Sequence, residues 1–173
     1  RQYFATHPEA DVYHIWPDDL PDGGWCTCEQ CSAYTPSEQA LIATNAVAEA
    51  LAAHNPEAQV SFLAYHDTEQ PPHRVEPQPN VCLLWAPRMR CYAHAADDVT
   101  CPVNMPYYDH TFRAQVGHFA NAAPPRVFEY YLDAVLFKSV LPPMPGVIQR
   151  DLRYYRDAGA HTVQALLTGD HPW

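Results

Sequence analysis

Val12-Tyr-His-Ile-Trp-Pro-Asp-Asp-Leu-Pro-Asp-Gly-Gly-Trp-Cys-Thr-Cys-Glu-Gln-Cys31 sets the fold class. It opens as a strand, because Val12, Tyr13, Ile15 and Trp16 are β-branched or aromatic. Pro17 removes a backbone donor and ends that strand. A loop follows, carrying Asp18, Asp19, Asp22, the pair Gly23-Gly24, then Cys26, Cys28 and Cys31. Next, Thr35-Pro36-Ser37-Glu38 reads as a helix start: Thr35 as N-cap, Pro36 at the first position, Glu38 closing a capping box. Ala40, Leu41, Thr44, Val47, Ala48 and Leu51 then recur at helical spacing, which predicts a helix over 36–54 that stops at Asn55-Pro56. Strand, polar loop, helix is the order in which α/β enzymes present active-site groups at strand C-termini.

The rest of the chain repeats that order. Strands are expected at 59–65, 80–86, 126–132 and 161–167. The second of these is almost wholly apolar, as a strand covered on both faces should be. Between the 59–65 and 80–86 strands, Thr68 to Pro79 carries four prolines and is expected to be mostly loop. Helices are expected over 108–121 and over a segment containing Val147, Ile148, Leu152, Tyr155 and Arg156, with Gly159 as its stop. Pro142-Pro143-Met144-Pro145 reads as a rigid loop, and Thr168-Gly169-Asp170-His171 as the exit of the last strand. Five strands separated by helices or long crossovers predict an α/β fold with a parallel sheet. Either a doubly wound sheet or part of a (β/α)₈ barrel would fit, and a whole barrel typically needs about 250 residues. The expectation is a single α/β domain over 1–173, a parallel-strand barrel-like segment that is the later part of a larger barrel. Arg1-Gln-Tyr-Phe-Ala-Thr-His-Pro8 reads as the tail of a helix, which fits a piece of a longer polypeptide.

Bulk properties narrow the partners. The net charge is −10, with 10 Lys+Arg against 20 Asp+Glu. With no basic run, nucleic acid and anionic membrane are excluded as expected partners. No apolar stretch approaches the roughly 20 residues of a membrane span. No signal peptide is visible, and cytoplasmic and secreted locations both stay open for the parent chain. No GxGxxG loop occurs. The 6 cysteines are too few for a disulfide scaffold and all fall between Cys26 and Cys101.

Several groups could carry chemistry. Asp18, Asp19 and Asp22 follow a strand, and Glu129 lies on another with Tyr131 two residues on, hence on the same face. Glycoside hydrolysis needs two carboxyls about 5–10 Å apart, so Asp18 or Asp19 with Glu129 is the candidate catalytic pair. The competing reading makes the aspartates turn and cap residues. Arg88, Arg90 and His94 follow a strand end and could clamp an acidic sugar or pair with the surplus acids. Trp16, Tyr65, His66, Tyr130 and Tyr131 offer ring faces on which sugars pack; Trp85 reads better as core packing. Cys26, Cys28 and Cys31 could share a structural zinc, with Cys91, Cys101 or a histidine as fourth ligand. They could equally form a disulfide brace with Cys91 or Cys101, or remain free thiols. No cofactor is expected for catalysis.

The chain resembles the bacterial domain-of-unknown-function family 4838. The resemblance rests on Trp16-Pro17-Asp18-Asp19, Gly23-Gly24-Trp25-Cys26-Thr-Cys28-Glu-Gln-Cys31, the Asn45-to-Pro56 helix end, Leu63-Ala64-Tyr65, Pro79-Asn80-Val81, Arg90-Cys91-Tyr92-Ala93-His94, Cys101 with Asn104, and Glu129-Tyr130-Tyr131. That family is similar to β-hexosaminidase and α-glucuronidase barrels, which implies a carbohydrate ligand and a chain completed by the rest of its parent polypeptide. A glycoside-hydrolase-like domain is the first expectation. A non-catalytic sugar-binding module and a zinc- or disulfide-braced interaction domain are the alternatives.

Overall fold

The computed structural model describes residues 2–140 and 142–168, so Arg1 and Gly169-Asp170-His171 lie outside the described residues. Five strands form one sheet: β1 (Val12–Ile15), β2 (Gln59–Ala64), β3 (Val81–Trp85), β4 (Ala123–Asp133) and β5 (Thr162–Thr168). Their spatial order is β1-β2-β3-β4-β5, and every neighbouring pair is parallel. A doubly wound sheet would reverse its order at a switch point. Sequential parallel order instead gives a curled half-barrel, the α/β architecture expected.

Helices α1 (Gln2–Thr6), α2 (Pro36–Ala52), α3 (Asn104–Pro106), α4 (Arg113–His118) and α5 (Pro145–Asp157) accompany the sheet. No described helix is long and apolar enough to cross a membrane. α2 starts as its sequence requires: Thr35 Oγ1 accepts the Glu38 N–H at 3.3 Å and Glu38 Oε2 accepts the Thr35 N–H at 2.9 Å. Its Leu41, Thr44, Ala48 and Leu51 are buried. The expected 108–121 helix is built differently. A π-helical turn at Tyr107–Phe112 joins α3 to α4, and buries Tyr108, Thr111 and Phe112. In α5 the buried positions are Asp151 and Tyr155, whereas Leu152 is 44% exposed.

Two apolar layers cover the sheet. Val60, Phe62, Leu83, Trp85 and Val127 face outward and pack with Leu41 and Leu51 of α2 and Tyr155 of α5. Leu63, Leu84, Ala86 and Tyr130 form a second cluster on the concave side. All five residues of β3 are buried, because this strand is central and covered on both faces. Each large side chain so buried contributes about 1.5–3 kcal/mol relative to exposure. Trp85 is core, wedged between the rings of Tyr107 and Phe112 at 5.2 and 5.4 Å.

The crossover from β2 to β3 manages with only a 3₁₀ turn at His66–Thr68. Its backbone polar groups need partners, and side chains of flanking helices supply them. Asn45 bonds Glu76 O and Gln78 N, Gln115 bonds the carbonyls of Thr68 and Glu69, and His118 bonds Val75 O. Glu38 accepts the N–H groups of His73 and Arg74 and pairs with the Arg74 guanidinium at 2.7 Å. That guanidinium, first among several donors, lowers the Glu38 carboxyl to about 2. A proline-rich loop thereby does the work of a crossover helix.

Candidate functional site

The half-barrel opens at the C-terminal ends of its strands into a cleft of about 600 Å³. Side-chain alternation decides who reaches it. Trp16 follows β1, Leu63 and Tyr65 end β2, Phe128 and Tyr130 lie on β4, and Leu166 and Thr168 lie on β5; all line the cleft. Trp16 is 49% exposed and meets Phe128 edge-on at 5.3 Å. The Tyr65 and Tyr130 rings stack at 6.3 Å, and His66 leans on Tyr65 at 3.8 Å. Together they make an aromatic floor with one ring at the rim.

Polar groups stand around it. His66 Nε2 lies 3.5 Å from Asp19 Oδ1. His66 has φ +49, the left-handed region that costs a non-glycine residue on the order of 1 kcal/mol. Thr68 fixes that turn, accepting the Tyr65 N–H and donating to Leu63 O. Burial, then the Asp19 carboxylate, push the Tyr65 phenol above its usual pKa. Burial, then Tyr65, do the same for Tyr130. Both phenols are therefore hydrogen-bond donors at neutral pH. Arg88 leans over the Tyr130 ring at 6.0 Å and approaches Asp133 Oδ2 at 3.6 Å.

Asp133 also lines the cleft, a position that strand alternation in the sequence does not reveal. The β4–β5 register shifts between Glu129 and Leu132, where three residue steps in β4 oppose two in β5. Such a bulge re-aims the side chains beyond it, and Asp133 turns into the cleft beside Thr168. Its Oδ1 accepts from Thr168 Oγ1 at 2.9 Å and from the N–H groups of Val135 and Leu136. Asp133 is 2% exposed, so it shapes the cleft wall more than it meets a ligand.

Of the residues named from sequence, Trp16, Asp19, Tyr65, His66, Arg88 and Tyr130 meet in this cleft. Asp18 is exposed and not among its lining residues. Glu129 and Tyr131 do share a face, but it is the one covered by helices. Glu129 is fully buried, accepting from Arg90 at 2.8 Å, from Tyr155 and Tyr92, and from the Tyr130 N–H. Burial outweighs the Arg90 charge and pushes its carboxyl up. Arg90 also bridges to Asp151 at 2.7 Å, and Tyr131 donates to Asp151 at 2.8 Å. The expected pairing of Asp18 or Asp19 with Glu129 across one cleft is thus not what the strand alternation produces: Arg90, Glu129, Asp151 and Tyr131 form a buried network behind the sheet.

The cysteine loop is pinned at both ends. Asp67 accepts from the Asp22 N–H at 2.9 Å and from Trp25 Nε1 at 2.8 Å. Gln39 of α2 accepts the Cys26 N–H and donates to the carbonyls of Cys26, Cys31 and Tyr34. Gly24 at φ +80 makes the turn between them. Cys26, Cys28 and Cys31 place their sulfur atoms within 4.8 Å of one another and could hold a metal ion. The Cys31 N–H, then the neighbouring thiols, lower Cys28 to about 7, while the Cys28 and Cys26 thiols raise Cys31 to about 11. All six cysteines are free thiols. Cys91 and Cys101 do not brace this loop; they stand with His94 in a second group that could hold a metal, which also takes His94 away from the cleft lining.

One protein-family model, described as a domain of unknown function (DUF4838), matches residues 1–169. No curated protein and no solved structure matches the chain.

Proposed function

The chain belongs to the DUF4838 family, and from its own cleft we propose that it is a carbohydrate-binding domain on a glycoside-hydrolase-like half-barrel. The observation that carries this reading is the meeting of Trp16, Tyr65 and Tyr130 with the Asp19–His66 pair in one cleft at the strand C-termini. Sugar C–H faces pack on such rings, and the phenols and the carboxylate offer donors and acceptors to the hydroxyls. A volume of about 600 Å³ falls within the range of small-molecule sites, about 300–1,000 Å³. Thr168 and the Arg88 guanidinium complete the polar rim.

Hydrolysis is the second reading, and Asp19 is the observation that favours it. Asp19 is the exposed carboxylate of the cleft and sits where strand-end acids act in barrels. Paired-carboxylate hydrolysis requires a second acid at about 5–10 Å. Glu129 is enclosed behind the sheet and Asp133 is committed to its loop, so binding takes precedence over turnover. The Cys26–Cys28–Cys31 loop, resting on Asp67 beside His66, is proposed to carry a structural zinc that braces one wall of the cleft.

Calorimetric titration with a panel of hexosides, N-acetylhexosaminides and glucuronides tests the reading. Trp16→Ala is expected to weaken any bound sugar about tenfold, equal to about 1.4 kcal/mol, with the fold intact. Asp19→Asn is expected to abolish turnover if the sugar is also cleaved. A Trp16→Ala protein that binds as well as the parent chain would reject this cleft.

A further inference from the structure

We infer that Cys91, His94 and Cys101 form a zinc site of their own, three-ligand and open to solvent at its fourth position. The ligand atoms come from positions 91, 94 and 101 of one irregular loop yet lie within 4.8 Å of one another. Cys91 Sγ and His94 Nδ1 are 3.3 Å apart. Tetrahedral zinc with Zn–S near 2.3 Å and Zn–N near 2.0–2.1 Å sets its ligand atoms roughly 3.5–3.8 Å apart, so small side-chain movements suffice. Two thiols and an imidazole select a borderline-soft ion over calcium or magnesium.

The loop is held in place by groups other than the ligands. Asn104 is fully buried. Its Oδ1 accepts the Cys91 N–H at 2.8 Å, and its amide hydrogens are shared among the carbonyls of Cys91, His94 and Ala95 at 2.9 to 3.1 Å. Its own backbone N–H points at Cys101 Sγ, 3.4 Å away. Arg90 donates to His94 O as well, tying the turn to the buried network. The backbone that carries the ligands is therefore held before any ion arrives, by groups outside the ligand set.

Burial grades across the trio. Cys101 is buried, Cys91 is half-buried and His94 is exposed, so an ion can enter from the His94 side. Among the described residues no fourth Cys, His, Asp or Glu joins the group, which leaves one position for water. Binding Zn²⁺ displaces one proton from each thiol and takes the neutral imidazole, so the two thiolates balance the ion's charge. This site is independent of the sugar reading and separate from the Cys26–Cys28–Cys31 loop.

The probe is Co²⁺ added to the reduced, chelator-stripped chain, followed by Zn²⁺ displacement. In a Cys26→Ser, Cys28→Ser, Cys31→Ser protein, one equivalent of Co²⁺ is expected to bind with sulfur-to-cobalt charge-transfer absorption and tetrahedral d–d bands, all removed by Zn²⁺. Adding His94→Ala, an exposed position, is expected to weaken that binding at least tenfold without altering the metal-free melting curve. His94→Ala alone is expected to cost the otherwise unaltered chain one equivalent, a readout that does not depend on the serine variant folding. A folded serine variant that takes up no Co²⁺, or stoichiometry and affinity untouched by His94→Ala, would overturn the site.

Discussion

Replacing Glu129 by glutamine separates a buried structural carboxylate from a catalytic one. The two oxygens accept from four donors: Arg90 Nη1 and the Tyr155 hydroxyl on Oε1, the Tyr92 hydroxyl and the Tyr130 N–H on Oε2. An amide keeps one accepting oxygen and turns the other into a donor, so two of the four donors lose their acceptor in either orientation. A neutral bond is worth about 1 kcal/mol and one to a charged group about 1.5–3 kcal/mol, which sums to about 2.5–4 kcal/mol. The amide is also easier to bury than the carboxylate, whose desolvation already pushes its pKa up. The Arg90 charge keeps Asp151 at 2.7 Å. The net expectation is a loss of about 2–3 kcal/mol. For a chain of 173 residues each kcal/mol shifts the melting temperature by about 2–4 °C, giving a fall of roughly 4–12 °C. Differential scanning calorimetry at neutral pH measures it, beside sugar titration of the folded variant, which should bind as the parent does. A melting temperature within 2 °C of the parent, together with lost cleft function, would refute the reasoning and return Glu129 to the cleft.

Arg90→Met should destabilise more, by about 3–5 kcal/mol, because it strands Glu129 and Asp151 in the interior without a counter-charge; urea melts would show the midpoint falling, and an unchanged midpoint would mean the network is not buried as described. The Glu38 carboxyl, lowered to about 2 by Arg74, should give an acid-limb signature. Because its folded pKa is depressed below the ordinary value near 4.3, its stabilising contribution is present above that value and is lost as pH falls through it towards about 2. Melts from pH 6 to pH 2.5 should therefore show a steeper loss for the parent chain than for Glu38→Gln, and parallel curves would contradict the assignment.

The sequence made the fold legible wherever local signals were strong. Thr35-Pro36-Ser37-Glu38 started α2 where its capping box required, and the apolar run ending at Trp85 proved to be the central strand. The four prolines between Thr68 and Pro79 make that crossover legible as mostly loop, although nothing local reveals that Asn45, Gln115 and His118 satisfy it from far along the chain. Trp16, Tyr65, His66 and Arg88, which lie within three residues of a strand end, line the cleft, and their position relative to the strands is legible in the sequence. Glu129 was misplaced because period-2 alternation tells which residues share a face but not which face looks into the barrel. Its neighbour Tyr130 is the one that does. Asp133 escaped notice because a bulge reverses the alternation just before it. A buried acid on α5 had a weak signal: Asp151 and Tyr155 sit four residues apart and so on one helix face, but the apolar pattern favoured Leu152.

The central claim, a saccharide seated on the Trp16–Tyr65–Tyr130 floor beside Asp19 and His66, is tested most directly by ¹H–¹⁵N chemical-shift mapping of the full chain against oligosaccharides. Saturable shifts are predicted for the Trp16 indole N–H and for the backbone amides of Tyr65, His66, Arg88 and Tyr130, with the Trp25 indole, held by Asp67, moving little. A well-dispersed spectrum in which no sugar of the panel shifts these signals, or in which saturable shifts gather on another face, would contradict it.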